Sequence, residues 1–210
     1  MSCAADTADD WKRVRSVAVH KKQLSKAQKV MRLCMSFLDP RMYLHGLRML
    51  NYYNQSHVRP LRLVTKGRNL AISPDATFAD PVRITLGDRV RIGSRCHIWA
   101  GPSTGRIIIG DDVLFGPDVM VTAATYRYND GSPVTRQLMD EADIIIGRDV
   151  WIGVGAIILA GARIGDGAVI GAGSVVKGHI PPFALAVGSP AKVVGSRTQV
   201  FEPSDLPPEV

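Results

Sequence analysis

Only three cysteines (Cys3, Cys34, Cys96) occur in the 210 residues, far apart and without a CxxC pair. This excludes a disulfide framework and a cysteine-built zinc site, and fits a reducing cytoplasm. No stretch approaches the roughly 18 apolar residues of a membrane-spanning helix. Residues 1–10 are polar and acidic, with no apolar leader core behind them. The chain is therefore expected to be cytoplasmic, or peripheral at the inner face of a membrane. Aromatic side chains are scarce at 6% whereas glycine numbers 20, so the core must be built from small and aliphatic groups. Histidine is nearly as scarce, and none lies between residues 98 and 178. Acidic residues are few in the N-terminal quarter. Residues 1–55 hold ten Lys or Arg against four Asp, which accounts for +6 of the net +7. The main body is almost neutral, and a nucleic-acid partner is not expected.

What is abundant is a period. From Ile84 the chain divides into sixes: ITLGDR, VRIGSR, CHIWAG, then IIIGDD, VLFGPD, VMVTAA after five intervening residues. After Thr125–Asp143 it resumes as IIIGRD, VWIGVG, AIILAG, ARIGDG, AVIGAG and SVVKGH. The third column is apolar in all twelve units, and the fourth is Gly in eight: 87, 93, 110, 116, 147, 153, 165 and 171. A helix would repeat at 3.6 and a lone strand at 2. A strict six fits short strands separated by turns, three to a coil, with coils stacked about 4.8 Å apart. The fourth-column glycines are expected to supply a backbone conformation that a Cβ resists. The first column shrinks to Ala156, Ala162, Ala168 and Ser174, as a tight corner requires. In the second column Ile108, Leu114, Met120, Ile145 and Ile157 are apolar where the strand should face outward. They form an expected row that a symmetric partner would cover.

The sequence predicts three segments: a basic helical appendage over 1–57, the repeat body over 58–195 and a loose tail over 196–210. Residues 11–54 read as helical, with Leu24, Ala27, Val30, Met31, Cys34, Met35 and Leu38 on one stripe and a break at Asp39-Pro40. The appendage is expected to cap the first coil, and its basic amphipathic surface also suits an anionic membrane.

The stretch from Ile144 to Val194, with VWIG, IGAGSVV and VGSPAKVV, resembles the hexapeptide-repeat acyltransferases. It is most similar to the maltose, galactoside and xenobiotic O-acetyltransferases and to those acting on surface polysaccharides. The resemblance covers roughly residues 58–195. It implies an all-β solenoid, a left-handed parallel β-helix assembled as a homotrimer, with acetyl-CoA as co-substrate and a saccharide as acceptor. In that family the catalytic base is a histidine shortly after the strand that precedes the long loop. Here Tyr126, in Thr122-Ala123-Ala124-Thr125-Tyr126-Arg127-Tyr128, stands at that position. A phenol titrates near pH 10 and is a poor base at neutrality. Four readings stay open. His97 or His179 takes the role; Tyr126 acts as a hydrogen-bond donor or with a lowered pKa, a site that would also suit an amine acceptor; the site is weak or inactive, or its tyrosine is a deliberate substitution that traps a substrate; or Asp130, Asp140 or Glu141 serves as a carboxylate base.

By the same resemblance, Trp151, Val154, Ala160, Gly161, Ala172, Gly173, Lys177 and Lys192 are expected to line the coenzyme. The loop 125–143 is long enough to be functional; its Tyr128, Asn129, Asp130 and Arg136 are expected to meet the sugar. No metal site is expected, since a metal-dependent hydratase on this architecture needs converging histidines that the sequence lacks. A nucleotidyltransferase needs a nucleotide domain for which there is no room. A non-catalytic trimeric scaffold is the remaining rival.

Overall fold

The computed structural model describes residues 24–129 and 131–197, and its compact units divide between Leu47 and Arg48. Helix α1 runs Lys26–Leu38 and α2 runs Pro40–Tyr53. The start of α1 is a capping box. Ser25 Oγ accepts the Gln28 N–H at 3.3 Å while Gln28 Oε1 accepts the Ser25 N–H at 3.0 Å. The break falls at Asp39-Pro40 as predicted, and Asp39 caps the new turn by accepting the Arg41 N–H at 2.9 Å. No residue of either helix is buried. The predicted helical stretch 11–23 and the tail beyond 197 lie outside the described residues.

The second unit is a left-handed parallel β-helix of six coils. Its first face stacks Thr65–Lys66, Ile84–Leu86, Ile107–Ile109, Ile144–Ile146, Arg163–Ile164 and His179–Ile180. The second face stacks Ala71–Ile72, Arg91–Ile92, Leu114–Phe115, Trp151–Ile152, Val169–Ile170 and Ala184–Val187. Lys192–Ser196 returns antiparallel along the last of these. The third face stacks Thr77–Ala79, His97–Trp99, Met120–Thr122, Ile157–Ile158 and Val175–Val176. All twelve third-column side chains are buried, and so are all twelve of the first column. They fill one continuous interior, where non-directional burial of aliphatic surface holds the coils together.

The structure begins one coil before the repeat visible in sequence. Lys66, Ile72 and Phe78 pair with Leu86, Ile92 and Ile98. The short helix Pro81–Arg83 breaks the spacing between these coils, and Lys66 puts an exposed cation in the apolar column. At the same end the π-helical turn Asn54–Val58 lies over the first coil. There the buried His57 holds Nδ1 2.6 Å from the Ala76 carbonyl and stacks on Tyr53 at 5.4 Å.

Two expectations are corrected. None of the eight fourth-column glycines has positive φ. They are selected by close approach between coils: a Cβ on Gly153 would sit 2.6 Å from the Ala172 amide nitrogen of the next coil. The left-handed conformation belongs to the sixth column, carried by Arg89, Arg95, Asp112, Asp118 and Asp149 early and by Gly155, Gly161, Gly167 and Gly173 later. The outward aliphatics, in turn, are not one row, because successive hexapeptides occupy different faces. Ile108 and Ile145 pair on the first face, Leu114 neighbours Trp151 on the second, and Met120 neighbours Ile157 on the third.

Candidate active site

Glycine fills the fourth column at the first-to-second and second-to-third edges, but never at the third-to-first edge. That edge carries Trp99, Thr122, Leu159 and Lys177 instead. Both insertions leave the prism there. The longer one begins with the strand Ala124–Tyr126, which pairs antiparallel with Met139–Glu141. Its root closes where the Ala142 N–H donates to the Ala123 carbonyl at 3.0 Å. Tyr126 lies opposite Met139 in this ribbon and is half-exposed. Arg127 Nε donates to Asp140 across it at 2.6 Å. Thr125, Tyr126, Tyr128, Asn129 and Asp140 border one shallow cavity. Arg136 stands apart on the exposed turn Val134–Arg136. Asp130 lies outside the described residues.

The ribbon is pinned by Glu141, which is therefore not free to act as a base. Its carboxylate accepts the N–H groups of Ser103, Thr104 and Gly105 and the hydroxyls of Ser103 and Thr104. These donors, led by the Thr104 amide, hold its pKa down at about 2. A carboxylate so engaged is a staple between the two insertions and has no lone pair to spare for a substrate proton. Asp140 accepts from Arg127 through Oδ1 alone and remains more than half exposed, bordering the ribbon's cavity.

Of the two alternative histidines, His179 faces outward on the first face of the last coil, beside Arg163 and three coils below the ribbon. His97 lies on the third face between Thr77 and Met120, in the coil next to the ribbon's root. Its Nδ1 is 2.7 Å from Thr77 Oγ1, and burial lowers its pKa.

The residues assigned to the coenzyme separate into three places. Ala160, Gly161 and Lys177 occupy the third-to-first edge, directly below the ribbon. The Gly161 N–H reaches the Ala142 carbonyl at 3.4 Å, and the next coil follows through Arg163 N–H to Gly178 O at 2.8 Å. Val154, Ala172 and Gly173 cluster at the second-to-third edge, joined by Gly173 N–H to Val154 O at 2.8 Å. Trp151, half-exposed, and Lys192 belong to the second face. In a three-sided prism the second face is opposite the edge that bears Tyr126. One ligand therefore cannot touch both within a single chain.

A profile of the family described as bacterial transferase hexapeptide (six repeats) matches residues 143–178. A probable acetyltransferase of Mycobacterium tuberculosis is 33% identical over 79% of this chain, and the match spans 55% of that relative's length. The galactoside O-acetyltransferase of Escherichia coli K12 is 31% identical over 74% of this chain and 79% of its own. The chain belongs to the hexapeptide-repeat acetyltransferases. A solved galactoside acetyltransferase in complex with coenzyme A agrees, with 30% identity and a TM-score of 0.61 over 73% of this chain and 79% of that one.

As a hexapeptide-repeat acetyltransferase the chain carries side-chain pairings that its sequence left unmarked. Besides Glu141 and His57, these are the Thr77–His97 pair and Asp80, whose Oδ2 accepts from Trp99 Nε1 at 2.8 Å. Only the nest that receives Glu141 had a sequence signal, the turn-rich Gly101-Pro102-Ser103-Thr104-Gly105. The others pair residues about twenty positions apart, a separation set by the length of a coil. Among the described residues no helix is long and apolar enough to cross a membrane.

Proposed function

We propose that this chain transfers the acetyl group of acetyl-CoA to a hydroxyl of a sugar or polysaccharide precursor, working as a homotrimer. The observation that carries this reading is the edge that gathers Tyr126, Ala160, Gly161 and Lys177 below a pinned ribbon, together with the opposed placement of Trp151. A groove between two parallel prisms brings the edge of one copy against the second face of the next, so the pantetheine arm has two walls. The small residues at the edge let a thin chain lie against the backbone, and Lys177 and Lys192 supply cations for phosphates. Tyr128 and Asn129, which border the ribbon's cavity, are assigned to the saccharide beyond its reacting unit. Tyr126, at the family's histidine position, serves as a hydrogen-bond donor near the reacting carbonyl.

An amine acceptor is the second reading. It rests on the absence of any histidine from residues 98–178, since a neutral amine needs less base assistance than a hydroxyl. The basic N-terminal segment 1–57 adds peripheral contact with an anionic membrane on the cytoplasmic side.

The test is thiol release from acetyl-CoA with free sugars, nucleotide-linked sugars and amino sugars, comparing the native chain with Tyr126→His. Turnover by the native chain is expected, with the preferred acceptor class separating ester from amide formation. If neither form consumes acetyl-CoA and the coenzyme does not raise the melting temperature, the chain is a scaffold.

A further inference from the structure

We propose that His97 is the proton acceptor of the transfer, oriented by Thr77 at the wall of a cavity that seats the acceptor sugar. This rests on the acetyl-transfer reading above and names the group that performs it. The cavity, about 360 Å³, lies between the turn following α2 and the third face, within the usual range for small-molecule sites. Tyr52, Gln55, Ser56, Thr77, Asp80 and His97 give it an aromatic face, an amide, two hydroxyls, a carboxylate and an imidazole. That is the mixture that holds a polyol: apolar ring faces against an aromatic, and hydroxyls against fixed polar groups.

Within this cavity the imidazole is set up as a base. Thr77 Oγ1 lies 2.7 Å from Nδ1, and Nε2 has no hydrogen-bond partner among the described residues. When Nδ1–H donates to Thr77, the Nε2 lone pair is presented to the cavity. Burial disfavours the imidazolium, so the ring is neutral and ready to accept a proton at neutral pH. The titratable groups that border the cavity with it are Tyr52 and Asp80. The Asp80 carboxylate is held by the Trp99 indole through Oδ2.

Position supports the same role. Trp99, on the same strand as His97, pairs with Thr122, two residues before the ribbon strand that carries Tyr126. Imidazole and phenol thus come from adjacent coils, His97 on the third face and Tyr126 on the ribbon that leaves its edge, and the proposal makes them base and donor of one reaction. In the step, Nε2 takes the proton of the acceptor hydroxyl as its oxygen bonds to the thioester carbon and the carbonyl electrons move to oxygen. Collapse restores the carbonyl and breaks the C–S bond. The imidazolium then returns the proton to the thiolate, leaving an acetyl ester and free CoA thiol.

The experiment measures kcat, KM for acetyl-CoA and the pH profile with the best sugar of the panel. Its arms are native chain, His97→Gln, Thr77→Val and Thr77→Ser. His97→Gln is expected to lower kcat about 10²- to 10⁴-fold, with KM for acetyl-CoA little changed, and to abolish the acid limb of the profile. Thr77→Val should move that limb and lower kcat, and Thr77→Ser should restore both. A folding defect is excluded by matching melting temperatures. A second readout follows the imidazole resonances of 15N-histidine-labelled native chain, in which the His97 signals should shift as the sugar is added. Native turnover combined with full activity of His97→Gln, or with an unperturbed His97 resonance, overturns the assignment while leaving acetyl transfer intact. No turnover by the native chain with any acceptor removes the acetyl-transfer reading itself, and the base with it.

Discussion

Glycine performs two different jobs in this solenoid, and single substitutions should separate them. At Gly153 the backbone is ordinary, but the next coil stands where a Cβ would go, 2.6 Å from the Ala172 nitrogen. At Gly155 the space is open and the backbone is left-handed, with φ +67°. Gly153→Ala should therefore force coils apart and cost about 1–3 kcal/mol, the scale of overpacking. Gly155→Ala should cost about 1 kcal/mol, the scale of a left-handed residue that gains a Cβ. Urea midpoints at one protein concentration check the order, and a larger loss at Gly155 would reverse the assignment of the columns. Glu141 gives a prediction in pH. Its folded pKa is lowered from 4.5 to about 2 by the amides it accepts. The stability it contributes is therefore present above the unfolded value and lost as pH falls towards 2. Native and Glu141→Gln chains should differ in melting temperature at pH 7, and most of that difference should be gone by pH 2.5. A difference that stays constant across that range would mean the carboxylate charge is not what pins the ribbon.

At the scale of elements, the sequence and the structure agree where local periodicity sets the answer. An inward Ile every sixth residue defines a strand and its facing without reference to anything distant, so the coils from Ile84 to Val176 were legible from the sequence. The first coil was not, because the Pro81–Arg83 turn and Lys66 interrupt the count. The site was legible in part for the same reason. Tyr126 and the corner glycines are marked by their place in the repeat, but which corner each lies on depends on how insertions divide the hexapeptides among faces. Helices α1 and α2 pose a different question, since Val30, Met31, Met35, Leu38, Leu44 and Leu50 are all more than half exposed. Lys26, Lys29, Arg32, Arg41 and Arg48 accompany them, against Asp39 alone. If an anionic membrane covers this surface, each cation contributes about 1 kcal/mol. The chain should then float with phosphatidylglycerol vesicles and not with phosphatidylcholine, and 0.5 M salt should release it. Replacing Lys26, Lys29 and Arg32 by Glu should abolish flotation. Equal behaviour of the two vesicle types ends the membrane reading.

For the whole molecule, the opposed placement of Tyr126 and Trp151 is the decisive geometry. A monomer leaves Leu114, Trp151 and Met120 substantially exposed on two faces, and it gives the coenzyme one wall at a time. In the proposed homotrimer, cyclic association would join edge to face three times over and close without leaving an unpaired contact. Each groove would then take its phenol from one copy and its indole from the next. This can be tested by complementation. Tyr126→Ala and Trp151→Ala chains should each be nearly inactive alone as trimers. Refolded together in equal amounts, they place an intact edge against an intact face in about a quarter of the grooves of a randomly mixed cyclic trimer. Acetyl-CoA turnover should therefore return to about a quarter of the native rate by that counting. Two chains mixed without refolding should recover activity only as fast as subunits exchange between trimers. No recovery in the refolded mixture, with trimers verified by sedimentation, would place both residues in a site within one chain, which the prism does not allow, or leave one of them outside the site altogether.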